Sequence, residues 1–536
     1  MSAALSKASM ALRRLGPGAV ALALFAFVVL YPVGRFLLSP LFPSFCPAGA
    51  TGVAATVPLV AVLNTIRIGL YSTLAALPFG MAIAWLFERR RWRGSGALLA
   101  VLWVVFLTPS YLLTSGWQIV FSQPGLANGW LAHLFFSEVG IVFLLALKGL
   151  PFAVLAARTS WRALGAELSD AARVLVADRR RRQMVVLRLL LPSAGAAFAV
   201  VFIETIQEFG IPATLGEQIH LPILTYAIYE KLATTPLDFR GAAILSWLMV
   251  GMALVVALAH RQLAVRHSGA LVHGKRRVAS AIGCTRGEAA LAATGLAALA
   301  LLGIGIPLTA IVAEAVRPAS AFPIPWNSLA WSAIYGVLAA LAGVLLVPPL
   351  VGRGMRAGWL KDIVGALALG NMAVPGLVLG AAYAIAFNGG WLPLYGTPLL
   401  LIVGYVAIQV PMLIRFLQAP FDHLHHGLSD AARVHGLSWS ARVFDIDAPL
   451  LAPALTWGWA MAFGQVFFEL PISMLLYPPG RAPVAVKLIW FNQNLHYTDE
   501  ARLALAGIGV SLAIALIAGL AIRVAFRPGR MGAETT

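Results

Sequence analysis

The chain has 536 residues, of which 60% are hydrophobic and 11% are charged, and its mean hydropathy is +0.85. A water-soluble fold of this size could not bury so much apolar surface, so the composition excludes a soluble globular protein and indicates a bilayer as solvent. The formal net charge of +18 could suggest nucleic-acid binding, but the Lys and Arg residues concentrate in the loops predicted to be cytoplasmic, as the positive-inside rule describes. We therefore expect lipid headgroups as partners and no nucleic acid.

Apolar windows of about 20 residues, the length that crosses a bilayer, recur along the whole chain. The first window follows Lys7, Arg13 and Arg14, but it is long and has no convincing cleavage site, so we expect an uncleaved anchor with a cytoplasmic N-terminus. The sequence predicts an all-α polytopic membrane protein with twelve transmembrane helices and both termini in the cytoplasm. The windows lie near 18–38, 58–87, 96–121, 137–157, 194–213, 241–259, 289–312, 329–351, 362–387, 398–417, 451–474 and 502–524.

A polar segment, residues 261–288, separates the sixth window from the seventh. The flanking residues, 1–260 and 289–536, are therefore predicted to form two halves with six helices each. Phe202 matches Phe463 across the halves, and Glu208 matches Glu469 in the same way. Because each half has an even number of spans, both enter the membrane from the same side, which predicts a parallel repeat about a pseudo-two-fold axis along the membrane normal.

The segment Leu-Ser-Asp-Ala-Ala-Arg-Val occurs once in each half, in loops near 160–192 and 420–453 that are predicted to be cytoplasmic. A Ser or Asp residue can cap the first amide groups of a helix, and the alanines leave one face of that helix smooth. In the second copy Gly436 can adopt a left-handed conformation and end the helix. We therefore expect a short helix–turn–helix in each loop.

This pattern resembles the signature of the integral membrane subunits of binding-protein-dependent ABC importers, in which Glu-Ala-Ala is followed by Gly and later by Leu-Pro. In that family the loop is a coupling helix, which sits in a groove of the ATP-hydrolysing subunit. The first copy departs from the family pattern, with Val176 where Gly is expected and Arg188 near the first proline, so we expect asymmetric coupling. The resemblance implies that two copies of a cytoplasmic ABC ATPase contact Asp170, Ala171, Ala172, Arg173, Asp430, Ala431, Ala432, Arg433 and Gly436.

Further segments narrow the resemblance to permeases for ferric iron, which carry two fused halves in one chain. They are Gln207–Gly216, Leu224–Tyr229, Glu469–Ser473 and Asp499–Arg502. The resemblance implies a permease subunit of the bacterial inner membrane that receives its solute from a periplasmic binding protein. Such a chain catalyses no covalent chemistry and needs no cofactor.

Two sets of alternatives remain open. Fused permeases for thiamine, 2-aminoethylphosphonate and polyamines share much of this pattern. An ion-coupled secondary transporter can also have two six-helix halves, although it would not need matched cytoplasmic loops.

Ionisable groups at membrane depth are costly and usually face a partner or an aqueous path. Those near the ends of the fifth and eleventh windows either line the pathway or its gate, or hold the two halves together. No metal-ligand spacing, complete phosphate loop or catalytic triad stands out in the chain. The candidate pathway residues are Glu204, Gln207, Glu208, Gln465 and Glu469.

Overall fold

The computed structural model describes most of the chain. The described residues are 2–42, 58–163, 178–267, 282–318, 320–352, 359–389, 392–422, 424, 431, 434–436 and 446–525.

Helices dominate the described residues up to the polar segment between the halves. They are α1 (Ser2–Leu38), α2 (Leu59–Arg89), α3 (Ser95–Leu107), α4 (Ser110–Phe121), α5 (Trp130–Phe135), α6 (Glu138–Ala163), α7 (Arg179–Gln207), a π-helix (Pro212–Gly216), α8 (Leu224–Ala233) and α9 (Phe239–His267). A two-residue strand, β1 (Arg90–Arg91), follows α2.

The second part of the chain begins with the strand β2 (Ile282–Gly283), which pairs in parallel with β1. Its helices are α10 (Arg286–Ala300), a π-helix (Leu301–Gly305), α11 (Ile306–Ala315), α12 (Trp326–Val351), α13 (Trp359–Met372), α14 (Gly376–Ala386), α15 (Pro398–Asp422), α16 (Ala448–Phe467), α17 (Pro471–Leu476), α18 (Val484–Gln493) and α19 (Tyr497–Ala525).

Within the described residues, nine helices are long and apolar enough to cross a membrane, or up to eleven if each of two bent helix pairs counts as one span. The window predicted near 194–213 contains a shorter apolar helix, Ala194–Gln207, at the end of α7. Only 17% to 56% of each span is buried by protein, so the remaining apolar surface is available to lipid. The all-α, multi-pass architecture agrees with the prediction, whereas the exact twelve-helix arrangement stays a prediction.

The bent pairs correct two predicted windows that the sequence treats as continuous helices. Helices α3 and α4 meet at 95°, and α13 and α14 meet at 100°. Pro109 and Pro375 stand at the N-caps of α4 and α14 with nearly the same backbone angles. Proline lacks the amide hydrogen that would continue the helix and forces the preceding residue out of the helical region, so each span breaks there.

The chain forms two compact units that do not follow chain order. The first unit comprises residues 1–52, 324–488 and 503–536, and the second comprises residues 53–323 and 489–502. Helix α1 therefore packs with α12 and α14 of the first unit, and α11 packs with α4 of the second. The division at residues 261–288 stays a prediction about the sequence repeat; residues 268–281 of that segment lie outside the described part.

In each unit an aromatic side chain from the second helix of the bent pair donates a hydrogen bond to a backbone carbonyl of another helical segment. In the first unit the Tyr383 hydroxyl donates to the Val28 carbonyl at 2.8 Å. In the second unit the Trp117 indole N–H donates to the Leu302 carbonyl at 3.2 Å. Leu302 lies in the π-helix between α10 and α11, where the wider turn weakens the normal backbone pairing and leaves a carbonyl for a side chain.

Candidate functional site

The predicted coupling segments are only partly described. The first segment lies between α6 and α7, where Asp170, Ala171, Ala172 and Arg173 are outside the described residues. In the second segment, which follows α15, the same is true of Asp430, Ala432 and Arg433. The described part of the second segment consists of residues 431 and 434–436.

A helical turn ends at Gly436 in that second segment. The His435 amide donates to the Ala431 carbonyl at 2.9 Å, and Gly436 follows with φ of +71°. This is the left-handed conformation predicted for it, which favours glycine because it has no Cβ. Val434 is 86% exposed, so the turn presents a free apolar side chain.

Glu208 joins the end of α7 to the start of α4. Its Oε1 accepts hydrogen bonds from the Gly210 amide at 2.8 Å and from the Ser110 hydroxyl at 2.6 Å. A Cβ at Gly210 would lie 2.3 Å from the Ser110 Oγ, so only glycine allows this approach. The carboxyl group thus fixes two chain segments at the break of the first bent span.

Glu469 has the corresponding place in the other half and a similar local role. Its Oε1 accepts from the Ile472 amide at 2.9 Å, and its Oε2 accepts from the Ser473 amide at 3.1 Å. The Ser473 hydroxyl is also paired with the Tyr405 hydroxyl at 2.6 Å. Glu469 therefore supplies acceptors to the free amides at the start of α17.

Lys148 holds the other side of the break between α3 and α4. Its ammonium group donates to the carbonyls of Val105, Phe106 and Thr108 at 3.0, 3.1 and 2.7 Å. These carbonyls lie at the end of α3, where the helix leaves acceptors without partners. A cation there also interacts favourably with the helix dipole.

A polar cavity opens beside these groups, with a volume of about 140 Å³. Glu204 is exposed and receives no hydrogen bond from the described residues, whereas Glu208 and Lys148 are already paired. Glu204 is thus the charged group most available to a solute in this cavity. The lining residues are Phe106, Leu145, Lys148, Gly149, Phe152, Glu204, Thr205 and Glu208.

The structure brings some of the predicted pathway residues together. Glu204 and Glu208 share the cavity in the second unit, and Gln207 is the last residue of α7 beside them. Gln465 on α16 and Glu469 after it belong to the first unit, and both are partly buried.

The sequence favours a packing or helix–helix polar contact for Lys148, which its hydrogen bonds to the end of α3 confirm, whereas sequence reasoning missed Ser110. The available signals were a lone lysine inside an apolar window and a serine directly after a proline. Aligning Pro151 with Pro411 and Pro109 with Pro375 places Ile408 and Gly376 at the corresponding positions of the second half, so this polar arrangement belongs to the first half. No group of three or more His, Cys, Asp or Glu side chains that could hold a metal occurs in the described part of the chain.

Comparisons with known proteins agree on one class of protein. Residues 76–267 match the family described as binding-protein-dependent transport system inner membrane component. A putative ferric transport system permease protein of Haemophilus influenzae is 23% identical over 476 residues, covering 80% of this chain and 72% of the relative. A probable ABC transporter permease of Sinorhizobium fredii is 24% identical over 504 residues, covering 85% and 87%.

A shorter relative is more similar over part of the chain. A probable molybdenum ABC transporter permease of Haloferax volcanii is 30% identical over 236 residues, which cover 42% of this chain and 83% of the relative. Together with the full-length matches, this shows that the chain belongs to the family of binding-protein-dependent transport system inner membrane components, as an ABC importer permease of the fused two-half type.

Proposed function

We propose that this permease imports ferric iron delivered by a periplasmic binding protein, driven by two copies of a cytoplasmic ABC ATPase. The observation that carries the coupling proposal is the helical turn ended by left-handed Gly436, within a segment repeated once in each half. Ferric iron is favoured because the Haemophilus influenzae relative, which matches 80% of this chain, is named a ferric transport permease.

In the proposed cycle both coupling loops lie on the cytoplasmic side, together with the two chain termini. Each loop inserts its short helix into a groove of one ATPase subunit. Closure of the ATPase pair on ATP rocks the halves from inward-facing to outward-facing, and hydrolysis resets them. The permease itself moves the solute without covalent chemistry.

The proposed path runs beside Glu204, Gln207 and Glu208 in one half and beside Gln465 and Glu469 in the other. Glu204 contributes a charged group that is free to meet a cationic solute. Glu208 and Glu469 shape the path by fixing the helix ends next to it. Gln465 occupies the position in the second half that Glu204 occupies in the first, so the first half has one more carboxyl group beside the proposed path.

The coupling proposal can be tested with Gly436→Ala in permease reconstituted with its ATPase and binding protein. A left-handed conformation costs a residue with a Cβ about 1–2 kcal/mol. Gly396 provides a matched control, because it also has positive φ, +77°, with open space around it, and it lies outside the coupling loop. We expect Gly436→Ala to reduce ATP-dependent uptake of labelled ferric iron strongly, and Gly396→Ala to leave it near the wild-type value.

Normal uptake by Gly436→Ala, or equal losses in both variants, would contradict the coupling role. Uptake that continues without ATP while an ion gradient is kept would instead indicate a secondary transporter. Competition with molybdate, thiamine, 2-aminoethylphosphonate and a polyamine tests the solute, and ferric iron should be the one that is taken up.

A further inference from the structure

Residues 489–502, which we call the strap, belong to the second unit, although the residues before and after them, 324–488 and 503–536, belong to the first. Helix α18 enters the strap and α19 leaves it without interruption at either boundary. The strap carries polar side chains that are almost fully buried: Asn492 is 3% exposed, Asp499 5% and Glu500 1%. Such groups are costly inside a membrane protein unless they are paired.

Glu500 and Asn492 bind α4, the second limb of the first broken span. The Glu500 Oε1 is hydrogen-bonded to the Ser115 hydroxyl, and its Oε2 accepts from the Asn492 amide at 3.0 Å. The same Asn492 amide donates to the Gln118 Oε1 at 2.9 Å. Ser115 and Gln118 are three residues apart and so lie on one face of α4.

The rest of the strap fixes the end of α11, which packs against α4. Arg502 donates to the carbonyls of Ala315 and Arg317 at 2.9 and 2.6 Å. Gly116 of α4 touches α11 so closely that an added Cβ would lie 2.5 Å from the Cβ of Pro307. The strap, α4 and α11 therefore form one tightly connected group within the second unit.

The corresponding limb of the other half has no such polar face. When α14 is aligned with α4 on their N-cap residues, Pro375 and Pro109, it has Ala381 and Ala384 where α4 has Ser115 and Gln118. Alanine side chains cannot donate or accept hydrogen bonds. The buried network is therefore specific to α4.

We propose that Glu500 is a positioning residue for transport, which holds α4 in place through Ser115 and Asn492. Because α18 and α19 continue into the strap, a displacement of α19 is transmitted to α4 through this network. The limb that starts at the Glu208-bound Ser110 is thereby tied to a segment from the second half of the chain. This inference rests on the proposed transport function.

The test compares three variants in the complete complex with ATPase and binding protein. Glu500→Met removes both acceptors. Glu500→Gln keeps the hydrogen bonds, because its amide oxygen can accept from Asn492 and its amide nitrogen can donate to the Ser115 hydroxyl. That hydroxyl then donates to the Tyr111 carbonyl, which lies 2.8 Å away. Asn494→Leu is the matched control: this strap residue is exposed, and its side-chain amide donates to the Trp490 carbonyl one turn earlier in the chain, at 2.7 Å.

Two readings are taken for each variant: iron transported per assembled complex at saturating binding protein, and hydrogen exchange of the amides of α4. For Glu500→Met we expect both to change by roughly tenfold, with slower transport and faster exchange, because leaving the buried donors of Ser115 and Asn492 without their acceptor has about that effect. The binding-protein concentration for half-maximal rate should stay unchanged. Glu500→Gln and Asn494→Leu should behave like the wild type.

A purely structural role predicts a different result: fewer assembled complexes for Glu500→Met, each transporting at the wild-type rate. That result overturns the proposal, and so does a Glu500→Gln variant with the same defect as Glu500→Met. If Glu500→Met does not assemble, wild-type transport and exchange in Glu500→Gln support the proposal and their loss overturns it. If the wild-type complex shows no ATP-dependent uptake, the proposed function fails, while exchange in α4 still reports whether Glu500 holds the limb.

Discussion

Replacing Lys148 with methionine tests whether the bend between α3 and α4 depends on a single side chain. The substitution keeps an unbranched side chain of similar length but removes the ammonium group. The carbonyls of Val105, Phe106 and Thr108 then lose the donor that each now has. Glu204 and Glu208 also lose the one cation among the described residues that line their cavity.

The expected loss can be worked out from these three hydrogen bonds. In membrane proteins a side-chain hydrogen bond contributes about 0.6 kcal/mol on average and up to about 1.7 kcal/mol. Three bonds therefore contribute between about 2 and 5 kcal/mol, and carbonyls left without a donor favour the middle of that range. We expect Lys148→Met to lower the free energy of unfolding by about 3 kcal/mol.

The assay is reversible unfolding of the purified permease in mixed micelles, followed by circular dichroism. Ile408→Met provides the matched control, because Ile408 occupies the corresponding position of the repeat and the change alters apolar packing only, at a cost expected below about 1.5 kcal/mol. A loss for Lys148→Met below about 1 kcal/mol, or no larger than that of Ile408→Met, would refute the reasoning.

Two further substitutions test local features of the fold. Pro411 has no backbone N–H to donate to the Ala407 carbonyl one turn earlier, and the Asn371 side-chain amide donates to that carbonyl instead, at 2.6 Å. Asn371→Leu should therefore lower the free energy of unfolding by about 0.6 kcal/mol more in the wild-type background than in a Pro411→Ala background, where the backbone amide at position 411 can take over the bond. Equal costs in the two backgrounds, measured by the same unfolding assay, would rule this out. Leu495 has φ of +60° and is 60% exposed, so Leu495→Gly should raise the stability by about 1 kcal/mol, and a lower melting temperature would contradict that expectation.

The broken spans show how far periodicity alone could go. The windows near 96–121 and 362–387 coincide with apolar helical segments, but each contains a helix break that hydropathy does not register. Pro109 and Pro375 were the available signals. Proline by itself does not fix a bend, however, since Pro78 and Pro151 lie inside continuous helices. The bend at Pro109 is held by Lys148 and Glu208, which come from distant parts of the chain.

The candidate site was predictable in residue type more than in arrangement. Glu208 and Glu469 could be paired from the repeat, and the structure shows each of them binding backbone amides next to it. The sequence could not distinguish a lining carboxyl group from one that caps a helix, because both need an acidic residue at the same depth. Only the structure distinguishes Glu204 as available to a solute, because it shows that Glu208 and Lys148 beside it already have hydrogen-bond partners.

The sequence by itself determined the solvent, the repeat and the family of this permease, because composition, apolar run length and a repeated motif are properties of adjacent residues. The tertiary structure decided which helices pack together: α1 joins the later helices, α11 packs beside α4, and the strap returns to the earlier part of the chain. These pairings depend on close fits such as that of Gly116 with Pro307 and on buried partners such as Glu500 with Ser115. A hydropathy pattern cannot distinguish one apolar helix from another of similar composition. Only packing and hydrogen bonding between distant residues therefore select one arrangement.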